Sequence, residues 1–228
     1  MTRLARVILE VLVETIVAIV GGTGAEGSGL AARFAKAGVR VRIGSRSLEK
    51  AEETARKLGS QTTGHTNADA VSSAAIIILA VPLSAQVETL KSIRGSIAPG
   101  AILVDATVPL EVAIGGRVSR TVTLWDGSAA QQAARLLPGV PVVAAFHALS
   151  AEALAKVDHP LDSDALICGD SAEAKAAVAK LAALIPGVRV VDAGPLDNAR
   201  LLESAAALLI SLNLLHKVKE SGMRITGL

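Results

Sequence analysis

Residues Thr15-Ile-Val-Ala-Ile-Val20 run directly into Gly21-Gly-Thr-Gly-Ala-Glu-Gly27 and then into Ser28-Gly-Leu-Ala-Ala-Arg-Phe-Ala-Lys36. The first stretch is apolar and β-branched, as a strand buried on both faces requires. The last is built of small helix formers, which suits close packing on a sheet. Between them, the spacing Gly22-x-Gly24-x-x-Gly27 predicts a strand–turn–helix unit that binds a dinucleotide. The first glycine is expected to make the tight turn, the second to let backbone approach a pyrophosphate, and the third to let helix pack on strand. Amides at the helix start, with the positive end of the dipole behind them, would then face the anion.

Strand and helix patterns alternate outward from this unit. Strands are expected at Val39–Ile43, near Thr62–His65, at Ile76–Val81, Ala101–Ala106, Val140–Phe146, Ala165–Cys168 and Val188–Val191. Helices are expected from Ser47, as N-cap, to Leu58 with Gly59 closing it, after Asn67 as a cap, from Ser84 to Ile93, Ser128 to Leu137, Ser171 to Ile185 and Leu196 to Glu220. Glu111–Thr123 fits neither pattern and reads as an irregular crossover. Such alternation predicts an α/β fold, a Rossmann-type doubly wound and mostly parallel sheet, with a smaller C-terminal α/β part ending in a long helix.

The chain has 228 residues, enough for one large domain or a domain with a small companion. It is 51% hydrophobic but only 1% aromatic, so its core must come from Ala, Val, Ile and Leu. A net charge of +2 and only Phe34, Trp125 and Phe146 as aromatics argue against a nucleic-acid surface. Cys168 is the sole cysteine, which excludes an internal disulfide or a cysteine cluster and suits a reducing cytoplasm. His65, His147, His159 and His216 lack metal-ligand spacing, so no metal is expected. The leader at 1–14 carries Glu10 and Glu14 within its apolar run, which argues against a signal peptide. No run of about 18 uninterrupted apolar residues is present, so no membrane span is expected.

The end of the second strand selects the nucleotide. An NAD site places a carboxylate there for the ribose hydroxyl, but this chain has Gly44-Ser45-Arg46, with Lys50 a helical turn on. Ser45, Arg46 and Lys50 suit a 2′-phosphate, so NADP is expected; the plain alternative is a capped helix with solvated charges. Acid–base groups for the second substrate are scarce. There is no Tyr, and His147 stands just past a strand end, either facing a ligand or satisfied by backbone. Asp105 and Asp192 end strands, where turn-capping is the ordinary role, and Lys217 and Lys219 read as a charged helix end. This scarcity suits an acceptor needing little proton help, such as a flavin-like ring.

Several segments together resemble the F420H2:NADP oxidoreductases, the NADPH-dependent reductases of the deazaflavin coenzyme F420. They are residues 21–31, Gly44-Ser-Arg-Ser-Leu-Glu-Lys-Ala51, Phe146-His-Ala-Leu-Ser-Ala151, Ile167-Cys-Gly-Asp170 and Asp192-Ala-Gly-Pro-Leu-Asp-Asn-Ala-Arg-Leu-Leu-Glu203. The resemblance implies hydride transfer between nicotinamide and deazaflavin rings stacked face to face, with no dedicated catalytic residue. It implies that Thr23, Gly24, Ala25 and Glu26 hold the pyrophosphate and that Ser45, Arg46 and Lys50 hold the 2′-phosphate. Val81, Pro82, Val108 and Pro109 would line the nicotinamide, the Ala151 backbone its carboxamide, and His147 the deazaflavin pocket. It further implies a homodimer, with an NADP-binding domain over 15–146 and a smaller part over 147–228 carrying the deazaflavin pocket and dimer contacts. Leu83 and the stretch 111–125 depart from the family pattern beside that pocket. An NADPH-dependent reductase of another acceptor (flavin, ferric chelate, small imine or hydroxyacid) and a non-enzymatic NADP sensor are the alternatives.

Overall fold

The computed structural model describes residues 15–228, and the leader at 1–14 lies outside the described residues. The strands are β1 (Ile16–Val20), β2 (Arg40–Ser45), β3 (Thr62–Thr66), β4 (Ile76–Leu79), β5 (Ile102–Asp105), β6 (Val142–Ala144), β7 (Ser163–Gly169) and β8 (Val188–Asp192). They form an eight-stranded sheet in the order β3-β2-β1-β4-β5-β6-β7-β8. From β3 to β6 every pairing is parallel; β7 joins β6 antiparallel, and β8 pairs parallel with β7. Chain direction across the sheet reverses between β1 and β4, so the loops after these strands diverge and leave a crevice at their carboxyl ends.

The helices are α1 (Ala25–Lys36), α2 (Leu48–Leu58), α3 (Asn67–Val71), α4 (Leu83–Ile93), α5 (Ala129–Leu136), α6 (Ala151–Ala155), α7 (Ala172–Ala182) and α8 (Ala199–His216). Period-two alternation along the strands divides the core into two layers. Val17, Ile19, Val41, Ile43 and Ile78 face Leu30 and Phe34 of α1 and Ala51 and Ala55 of α2. Ala18, Val20, Ile77, Leu79 and Leu103 face Leu90 and Ile93 of α4, Ala130 and Ala133 of α5, and Leu202 of α8. Serine hydroxyls cap α2, α5, α6 and α7, accepting from the backbone N–H of Lys50, Gln131, Ala153 and Ala174.

Several element boundaries differ from the sequence reading. The first helix starts at Ala25 rather than Ser28, because the last glycine of the motif already has helical backbone. Thr66, not Asn67, caps α3, its hydroxyl accepting from Asp69 N–H. Pro82 takes the N-cap position of α4, ahead of Ser84. α6 has no apolar run long enough to announce itself and rests on tertiary contacts. The crossover carries a short 3-10 turn at Glu111–Ile114 and one antiparallel bridge, Leu110 to Thr121. The final helix ends at His216, where Lys217 turns left-handed at φ 54°. Beyond it the tail folds back, pinned by buried Asp164, which accepts from Arg189, from Arg224 and from Ile225 N–H.

The contact that joins nucleotide-binding helix to pocket rim is made by Arg33. Its side chain is 2% exposed. It donates to the carbonyls of Ala153, Leu154, Lys156, Val157 and His159, at the end of the short α6 and in the turn after it. Gly29 allows the approach, since a Cβ there would lie 2.8 Å from Leu154 Cβ. Arg33→Ala should therefore lower the urea midpoint with little change in slope, by about 3 kcal/mol, because the Leu154 and His159 carbonyls lose their donor and a buried side chain that bridges α1 to α6 is removed. Arg33→Lys should recover only part of this, since one ammonium cannot span five carbonyls.

Candidate functional site

The turn after β1 is built from close approaches. Gly21, which precedes the motif, takes the left-handed conformation at φ 82°, and a Cβ there would lie 2.3 Å from Ala80 O. The tight turn expected of Gly22 thus belongs to Gly21. Gly22 packs instead on the strand it leaves, with Ile19 O 2.8 Å from its would-be Cβ. At Gly27 a Cβ would come within 2.6 Å of Gly21 O, so glycine alone lets α1 sit on the turn. Unlike the serine-capped helices, α1 begins at Gly24 with no side-chain oxygen on its first amides. That leaves donors at a helix N-terminus facing the crevice, the geometry an oxyanion requires.

On one side of the turn, Thr23, Gly24, Ser45, Arg46, Ser47 and Lys50 line a cavity of about 320 Å³ with Asn67, Ala80, Val81, Pro82, Ala85 and Thr89. Ser45 is buried and its Oγ accepts from Ser47 N–H at 3.2 Å, leaving its own proton to donate. Among the described residues the Arg46 guanidinium and Lys50 ammonium make no hydrogen bond or ion pair. Three expected phosphate contacts therefore converge on one mouth. Asn67 and Thr89 escaped the sequence reading, since an Asn opening a short helix looks like a cap.

On the other side, a cavity of about 560 Å³ shares Gly24, Ala80, Val81 and Pro82 with the first, so the two form one crevice. Ala25, Glu26, Val108, His147 and Ala151 line it, together with Ala106, Leu110, Ser150, Asn213, Lys219 and Ser221. Pro109 and the packing glycines Gly22 and Gly27 do not line it; the Pro109 carbonyl instead accepts from Val122 N–H. Lys219 and Ser221 reach the wall only because the tail doubles back, with Ser150 Oγ donating to Lys219 O at 2.8 Å. No local signal in the sequence announces that return.

His147 projects into this cavity from a strained corner. Phe146 is buried at φ 73°, a left-handed conformation that costs a non-glycine residue on the order of 1–2 kcal/mol. Its ring is held edge-on by Phe34 of α1, centroids 6.2 Å apart. His147 is 8% exposed, and neither ring nitrogen meets a hydrogen-bond partner among the described residues. Burial pushes its pKa down to about 4, partly offset by the Thr107 backbone, so the ring is neutral at pH 7. Thr107 Oγ1 beside it is also buried and unpartnered.

Beneath the cavity lies a buried polar network. Asp105 accepts from Thr107 N–H and from Gln86 Nε2, and Gln132 Nε2 donates to Gln86 Oε1. Burial raises the Asp105 pKa to about 6. Glu203 of α8 accepts from Ala130 N–H at the start of α5, and burial raises its pKa to about 8. Glu26 is partly accessible from the cavity yet deep among protein atoms; burial, then Asp105, raises it to about 8. Elsewhere, Asp192 caps its turn through Gly194 N–H and pairs with Lys175, and the buried Cys168 thiol is pushed up to about 12. Among the described residues no group of His, Cys, Asp and Glu is placed to hold a metal.

A doubly wound sheet whose crevice joins a bare helix N-terminus to a Ser–Arg–Lys mouth and a second chamber bordered by a neutral histidine defines an NADP-dependent oxidoreductase. The family model of the coenzyme F420-dependent NADP oxidoreductases matches residues 16–109. The chain is 46% identical over 221 residues to the F420-dependent NADP reductase of Methanothermobacter thermautotrophicus, covering 93% of this chain and 95% of that one. To the enzyme of the same name from Methanocaldococcus jannaschii it is 39% identical, covering 93% and 98%. A solved structure from Arthrobacter sp. FB24, provisionally titled an F420-dependent NADP reductase, superposes with a TM-score of 0.80. It covers 93% of this chain and 99% of that one at 23% identity, which shows the shared fold. The chain belongs to the F420-dependent NADP reductase family, and its reaction is hydride transfer between NADPH and coenzyme F420.

The Glu26 carboxyl is neutral at pH 7 and ionises above its raised pKa of about 8. Ionisation sets a negative charge beside the uncapped amides at the start of α1, where an anion would bind. The dissociation constant for NADPH should be flat below about pH 7.5 and rise above pH 8, by up to about tenfold at pH 9. Glu26→Gln should flatten that rise in a fluorescence titration of the bound nicotinamide.

Proposed function

We propose that NADPH lies along the whole crevice, its pyrophosphate on the amides of Thr23 to Glu26 and its 2′-phosphate held by Ser45, Arg46 and Lys50. Val81, Pro82 and Val108 shape the nicotinamide end, and the Ala151 backbone meets its carboxamide. The deazaflavin stacks in the remaining chamber beside His147. The observation that carries this reading is the continuity of the two cavities through Gly24, Ala80, Val81 and Pro82. Phosphate grip and redox chamber thus belong to one groove.

NADPH supplies the hydride and solvent the proton that together convert F420 to F420H2, the direction being set by the NADPH/NADP+ and F420/F420H2 ratios. The protein's contribution is to orient and to exclude water. Neutral His147 offers unpartnered ring nitrogens to the chamber, beside the polar side chains of Ser150, Asn213 and Ser221, suited to the carbonyl and N–H groups of a planar ring. Residues 15–146 form the NADP-binding domain, and 147–228 supply the deazaflavin pocket and dimer contacts.

The working form is a cytoplasmic homodimer. Leu201, Leu208 and Leu215, spaced seven apart on α8, are 53%, 53% and 73% exposed, with Leu214 beside them. Leu196–His216 has the length and mean hydropathy, 1.2, of a membrane span. Its other face, however, is buried on α5 and carries the buried carboxyl of Glu203. A second copy of the same helix covers such a stripe without exposing that carboxyl to lipid.

Arg46→Ala should weaken NADPH far more than NADH, by roughly 1.5–3 kcal/mol, the worth of charge-assisted hydrogen bonds to the 2′-phosphate. Equal losses for both nucleotides would contradict the assignment. With NADPH, the unaltered protein should bleach the oxidised deazaflavin band, and no turnover with added F420 would remove the acceptor.

A further inference from the structure

One polar group at the adenosine end of the crevice has no task in gripping phosphate. Asn67 opens α3 just beyond the carboxyl end of β3, and its Oδ1 is buried with no donor among the described residues. A buried acceptor without a partner is costly and is retained where a ligand completes it. Gly44 makes its position possible, since a Cβ there would lie 3.0 Å from Asn67 Oδ1 and 3.2 Å from Ala70 Cβ. The cavity that Asn67 lines is walled by Val81, Pro82 and Ala85, with Arg46 at its mouth. Apolar walls with a guanidinium at the rim suit a flat heteroaromatic base.

We propose that Asn67 is a specificity-determining residue that reads the base of the nucleotide. This rests on the assignment of the crevice to NADPH. An orphan acceptor calls for a donor, and the edge of adenine carries one exocyclic donor, the N6 amino group, beside ring nitrogens that accept. A carboxamide presents the matching pair: Oδ1 accepts from N6–H while Nδ2–H2 donates to N7. Hypoxanthine sets the O6 lone pairs where N6–H stood, so both edge atoms accept and one bond is lost. Sites built around such a bond reject the analogue that lacks the donor.

The test is equilibrium binding to the full-length protein, read by nicotinamide fluorescence, with NADPH, NADH and the hypoxanthine analogue of NADPH. The unaltered protein should prefer NADPH over the analogue by about tenfold. Asn67→Ala should weaken NADPH and NADH by the same factor, about tenfold, and bring the preference over the analogue close to one. Arg46→Ala should leave that preference intact, because it acts on the phosphate. Asn67→Ser keeps a hydroxyl at the helix start, and serves as second variant should the alanine protein fail to show a cooperative thermal transition. An unchanged base preference in either folded variant would overturn the proposal; so would equal losses for NADPH and the analogue, which would assign Asn67 to a ribose hydroxyl. Failure of the unaltered protein to bind any of the three nucleotides would overturn the crevice assignment itself, and the proposal with it.

Discussion

The guanidinium of Arg33 ties the two functional ends of this molecule together. It leaves the nucleotide-binding helix, enters a buried site, and donates to carbonyls at the end of α6 and in the turn beyond. A five-residue helix cannot hold itself in water, because nucleation outweighs so few hydrogen bonds. With α6 fixed on α1, Ser150 and Ala151 keep their place on the cavity wall. The helix that offers its N-terminus to an anion therefore also fixes the rim of the redox chamber. Phe34, one position along, performs the same service for the strained Phe146 and hence for His147.

Beneath the chamber, the protein places charge sparingly. Glu26, Asp105 and Glu203 are carboxyls raised by burial, and His147 is an imidazole lowered by it. Each shift favours the neutral form, which Glu26, Glu203 and His147 hold at pH 7, while Asp105 is mostly ionised there. A hydride carries its own electron pair and needs a dry, orienting pocket more than a strong acid. Positive charge stands instead at the far mouth, on Arg46 and Lys50, where screening by water costs little and a phosphate gains most.

Much of this was legible in the residues. The apolar run before Gly21 and the glycine spacing are local signals, because turn and close approach use neighbours in the chain, and the stretch around Ser45 and Arg46 lines the cavity beside that turn. Serines 47, 128 and 171 sit before their helices as capping chemistry requires. The errors were local too. Gly21 took the left-handed turn assigned to Gly22, and Thr66 displaced Asn67 as a cap, because adjacent residues with similar propensities are separated only by packing.

By itself, then, the sequence determined the layered α/β class, the nucleotide turn and the preference for NADP, each written in local stretches of the chain. Only the tertiary structure decided what meets across the crevice. Lys219 and Ser221 reach the wall because Asp164, buried at the far end of β7, receives Arg189, Arg224 and Ile225 and folds the tail back. Asn67 shares a cavity with Thr89 because β3 and α4 converge on the same strand ends. Such meetings depend on contacts between residues dozens of positions apart, and no periodicity along the chain records them.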